Sequence, residues 1–90
     1  MPTIRITIDS DHRNSVRVVE SLTALADPAA GVEVEVRDAR EDAAAADFLD
    51  RLVCCGSVTP VVESGGLLLT APTPAEALLA VRRSTPSLVG

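Results

Sequence analysis

The segment Val58-Thr59-Pro60-Val61-Val62-Glu63-Ser64-Gly65-Gly66-Leu67-Leu68-Leu69-Thr70 decides the architecture of this chain. Val58 to Glu63 and Leu67 to Thr70 read as two short strands. Ser64-Gly65-Gly66 reads as the turn between them, because glycine supplies positive φ at no steric cost. Strands joined that tightly must run antiparallel. The Thr59-Pro60 dipeptide sits near the start of the first of the two. Downstream, Thr73-Pro74-Ala75-Glu76 is a strong helix start, with a Thr cap, Pro at the first helical position and Glu at the third. Leu78, Leu79 and Val81 are the expected core stripe of that helix.

Upstream, the pattern changes period twice. Ile4, Ile6 and Ile8 alternate with Arg5 and Thr7, as a strand does. After the polar run Asp9 to Ser15, the residues Val18, Val19, Leu22, Leu25 and Ala26 recur at helical spacing, and Asp27-Pro28 is expected to end that helix. Val32 to Arg37 alternate again. Asp38 with Glu41 resembles a capping box, which predicts a helix from about Ala39 with the stripe Ala45, Phe48, Leu49, Leu52 and Val53. The order is βαβαββα. The first two strands, joined through a helix, should be parallel with a right-handed crossover.

Ninety residues allow one core, and 47% are apolar, enough to fill it. Phe48 is the single aromatic, so aliphatic side chains must do the packing. The net charge of −5 argues against a basic surface for nucleic acid or anionic membrane, and the absence of any lysine carries no functional message. No apolar run approaches a membrane span, and no leader pattern opens the chain, so a cytoplasmic protein is expected. Two adjacent cysteines, Cys54 and Cys55, are not a disulfide framework.

The order of elements, with Asp47-Phe48-Leu49, Thr59-Pro60-Val61 and Gly65-Gly66 at their spacings, resembles the thioredoxin-like superfamily, and glutaredoxin-like proteins most closely. The likeness runs from Ile4 to Val81. Residues 1–83 are then a thioredoxin-like domain and 84–90 a tail. The resemblance implies a three-layer α/β fold with a mixed four-stranded sheet in the order 2-1-3-4. It also implies a cis Thr59-Pro60 bond, with the first and third helices on one face. The family's Cys-x-x-Cys positions fall on His12 and Ser15, and Thr70-Ala71-Pro72 stands where its glutathione-binding glycine pair belongs. Thiol exchange and glutathione binding are therefore not expected. Asn14-Ser15-Val16-Arg17 is locally similar to the KaiB family, which is related to thioredoxin and lacks the dithiol. One pattern favours an alternative, a two-layer α/β sandwich. Strands covered on both faces should be continuously apolar, yet both parallel strands alternate, leaving Arg5, Thr7, Glu33 and Glu35 on one face with scope for cross-strand charge pairs.

Three groups of residues are chemical candidates. Cys54 and Cys55 lie before Pro60, where a thiolate near His12 would be reactive; equally, they can finish the core stripe of Leu52 and Val53. Asp9, Asp11 and His12 have metal-ligand chemistry, although Asp and Ser also collect in loops that begin helices. Arg13, Ser15 and Arg17 flank a helix start, where anions are favoured. No metal or cofactor is expected. The expected function is a non-catalytic binding or scaffold module for another protein, through His12, Arg13, Ser15, Cys55, Thr59 and Pro60 at the carboxyl ends of the parallel strands. The alternative is an atypical thiol redox protein using Cys54 or Cys55, with His12 as base.

Overall fold

A computed structural model of the chain describes residues 3–52 and 59–84. Four strands, β1 (Thr3–Ile8), β2 (Glu33–Asp38), β3 (Val61–Ser64) and β4 (Leu67–Thr70), form one mixed sheet in the order β2-β1-β3-β4. β1 and β2 are parallel, and β1–β3 and β3–β4 are antiparallel. The helices are α1 (Arg13–Thr23), α2 (Ala43–Leu52) and α3 (Pro74–Ser84). The Thr59–Pro60 peptide bond is cis, the isomer the resemblance implied. Among the described residues no helix is long and apolar enough to cross a membrane.

The core lies between one face of the sheet and the pair α1 and α3. Ile4, Ile6 and Val62 project from the strands, Val32 from the residue just before β2, Val18 and Leu22 from α1, and Ala77 and Val81 from α3. Full burial stabilises each larger side chain here by roughly 1.5–3 kcal/mol. Leu79 was expected in this stripe but is 53% exposed. The closely packed α1–α3 contact takes the smaller Ala77 instead, four residues before Val81 on the same face.

α2 lies on the opposite face. The guanidinium of Arg37, which shares that face with Thr7 and Val61 by register, stands 5.8 Å from the centre of the Phe48 ring. Helices therefore flank both faces, and the alternative with all three on one side does not hold. A ten-residue helix spans only about 15 Å. Thr7 and Val61, at the carboxyl end of β1, are buried, whereas Thr3, Glu33 and Glu35 remain exposed. Incomplete cover explains the alternation. Arg5 and Glu35, opposite each other in register, form the expected cross-strand pair at 3.4 Å.

Several boundaries differ from the sequence expectation. α1 ends at Thr23, four residues before Asp27, and Asp27 instead caps a short 3-10 turn at Pro28–Ala30, accepting from the Ala29 and Ala30 N–H groups. α2 begins at Ala43, not Ala39. The Asp38 carboxylate accepts from the Arg40 N–H at 2.9 Å, while Asp42 accepts from Ala44 and Ala45 and starts the helix. The β3–β4 turn has two residues rather than three, since Ser64 pairs with Leu67; Gly65 at φ +56° and Gly66 at φ +84° meet the positive-φ requirement of a type I′ turn. α3 includes Ser84, one residue past the expected domain end, and the Ser84 hydroxyl donates to the Ser64 Oγ at 3.1 Å.

Candidate functional site

The carboxyl ends of β1 and β2 bring four connections to one end of the sheet. These are residues 9–12 after β1, 39–42 after β2, the Thr59–Pro60 approach to β3, and residues 71–73 after β4. β1 ends here because Asp9 and Ser10 turn out of the ladder. The Thr59 hydroxyl donates to Asp9 Oδ1 at 2.7 Å, which ties the chain entering β3 to the chain leaving β1.

Beside it, Arg40 holds two carboxylates. Its Nη2 donates to Asp38 Oδ2 at 2.7 Å and to Asp11 Oδ1 at 3.0 Å, and its Nε donates to Asp38 Oδ1 at 3.0 Å. The guanidinium hydrogen bonds hold the Asp38 carboxyl below its ordinary value, aided by the Arg40 backbone N–H. Arg40 is raised in turn, first by Asp38 and then by Asp11. The fork geometry of arginine suits two carboxylates at once. Asp11 and Arg40 are exposed and Asp38 is half-buried, so the cluster orders the loops more than it stabilises the fold.

α1 starts from His12, whose side chain makes no capping bond. His12 and Arg13 are exposed at this end. Asn14 is half-buried, and its Nδ2 donates to the Pro72 carbonyl at 2.9 Å, fastening α1 to the β4–α3 connection. In that connection Ala71 has φ +48°, a left-handed conformation uncommon for alanine, and its N–H donates to the Pro60 carbonyl at 2.9 Å.

Of the residues singled out from sequence, His12, Arg13 and Thr59 do converge here, with Thr59 half-buried. Ser15 is a correction. It is 2% exposed, because with Val18 and Leu22 it lies on the buried stripe of α1, so it offers nothing to a surface or to an anion beside Arg13 and Arg17. Pro60 is also buried. Cys54 and Cys55 lie outside the described residues. No group of three His, Cys, Asp or Glu side chains suited to a metal is present among the described residues, and Asp11 is engaged by Arg40 instead. Sequence reasoning missed Arg40 and Asn14. Arg40 follows Asp38 by two residues, a spacing that permits a local pair. Nothing local pointed to Asp11, 29 residues away.

Comparison with protein-family models, curated proteins and solved structures finds no match for this chain.

Proposed function

We propose that this is a thioredoxin-like domain that works without thiol chemistry, as a module that binds another protein through the loops at the carboxyl end of β1. The observation that carries this reading is the pair His12 and Ser15. In the resemblance they stand at the dithiol positions, and one is exposed while the other is buried in the face of α1. An imidazole and a buried hydroxyl cannot exchange disulfides, since exchange needs an attacking thiolate and a second thiol to expel the bound sulfur. The sheet order β2-β1-β3-β4 and the placement of α1 and α3 on one face support the fold assignment. The ties Asp9–Thr59 and Asp11–Arg40–Asp38 support a binding role, because they hold the loops that present His12 and Arg13 in one arrangement.

Two measurements test it. The purified protein is expected to show no turnover with insulin or a glutathione mixed disulfide; turnover abolished by Cys54→Ser or Cys55→Ser overturns the reading and makes this a thiol redox protein. A partner captured by the wild-type protein should be lost from a His12→Ala, Arg13→Ala double variant whose melting temperature is unchanged. A partner retained by that variant removes the loop from the contact.

A further inference from the structure

Among the described residues β2 is an outer strand, paired only with β1. In a parallel ladder, alternate residues of a strand turn both N–H and C=O toward the neighbour. The Ala39 N–H donates to the Ile8 carbonyl at 2.8 Å, so Glu33, Glu35 and Arg37, of the same parity, face β1. The main-chain groups of Val34 and Val36 face outward. Val32 has that outward parity too, and there the edge is already used. Its N–H donates to the Asp27 carbonyl at 2.9 Å and its carbonyl accepts from the Asp27 N–H at 3.0 Å, an antiparallel bridge. The chain thus adds one residue of strand to its own edge and stops. Beside the unused part runs an open groove of about 460 Å³, lined by Ala26, Pro28, Val32, Glu33, Val34 and Glu35 among others.

The side chains along this edge specify an occupant. Glu33 and Glu35 are exposed on one face, and on the other Val34 is half-buried and Val36 is 44% exposed. β1 shows what suits the pattern, with Arg5 opposite Glu35 and Ile4 and Ile6 opposite Val34 and Val36. A second copy pairing through its own β2 with Glu35 opposite Glu35 would set carboxylate against carboxylate, which destabilises neighbouring strands, whereas a register with Glu35 opposite Arg37 would not. The two exposed carboxylates favour a basic strand.

We propose that the outer edge of β2 takes an extended basic segment of a partner protein as an added strand. Its Arg or Lys residues lie beside Glu33 and Glu35, and its alternate β-branched residues lie beside Val34 and Val36. This rests on the reading of the domain as a protein-binding module, and it names a second surface and the chemistry of what binds there.

The test is fluorescence anisotropy with a labelled, end-blocked peptide of alternating valine and arginine, at about 0.15 M ionic strength to limit long-range attraction. Saturable binding is expected, weakened about tenfold or more (1.4 kcal/mol) by Glu33→Arg with Glu35→Arg, and that variant should prefer a valine–glutamate peptide. N-methylating the peptide amides that would face β2 keeps every charge and removes the ladder donors; it too should cost about tenfold, with the protein untouched. Absence of saturable binding overturns the proposal. So does equal binding of the methylated and parent peptides, which would mean charge attraction alone, or a charge-reversed variant that fails to gain the glutamate peptide. The His12 and Arg13 loop takes no part in this assay. Failure here with loop-dependent capture intact condemns the edge alone, and the converse condemns the loop alone.

Discussion

The carbonyl oxygen of Ser84, in the last turn of α3, lies 2.6 Å from the point where a β-carbon on Gly65 would sit. The neighbouring Gly66 has nothing within 4 Å of the same point, though both glycines have positive φ. One turn position is closed by backbone strain and by a distant helix end, the other by backbone strain alone.

Gly65→Ala should therefore destabilise the domain by about 2–4 kcal/mol, and Gly66→Ala by about 1 kcal/mol, because the left-handed penalty is shared and the clash is not. Chemical denaturation of the two variants measures the difference. Equal losses would mean that α3 does not press on the hairpin.

Thr73→Ala should cost about 1 kcal/mol. The Glu76 N–H donates to Thr73 Oγ1 at 3.2 Å and the Thr73 N–H donates to Glu76 Oε1 at 2.9 Å, a reciprocal box at the start of α3. Overlapping unfolding curves for wild type and variant would show that the box contributes nothing.

Thr7→Val should be neutral or stabilising by up to about 1 kcal/mol. Thr7 is fully buried, its hydroxyl has no hydrogen-bond partner among the described residues, and Val61 stands opposite it in register. Valine keeps the shape and the strand preference. A clear loss of thermal stability would reveal a partner for that hydroxyl.

Acid stability should carry the signature of Asp38 and Glu76. Arg40 holds the Asp38 carboxyl below its ordinary value, and the Thr73 N–H, aided by the Thr73 hydroxyl, does the same for Glu76. A group whose pKa is lower in the folded state binds fewer protons there. Its contribution is present above about pH 4.5, where the unfolded group is ionised, and fades as pH falls through the folded value. Melting temperature measured from pH 6 downward should drop less steeply below about pH 4.5 for Asp38→Asn with Glu76→Gln than for wild type. Parallel profiles would remove both groups from acid unfolding.

By itself the sequence determined what is written within a few residues along the chain. The alternation of Ile4, Ile6 and Ile8 and of Val32, Val34 and Val36 specified two strands, Gly65-Gly66 the hairpin, and Thr73 with Glu76 the start of α3. Periods and caps are local, so they are legible without a fold. Only the tertiary structure decided which polar side chains are enclosed and which are joined. Asp38 had the local look of a helix cap, but Arg40 claims its carboxylate and also reaches Asp11, and α2 begins at Asp42 instead. Ala77 took the place of Leu79 in the core because α1 and α3 approach closely there, and Ser15 was enclosed on the same stripe as Val18 and Leu22. Asn14 and Pro72 are 58 residues apart, and Thr59 and Asp9 are 50 apart. Such pairs exist only once the sheet has brought its carboxyl end together, since a side chain's burial and partners belong to the neighbours that folding supplies and not to its place in the chain.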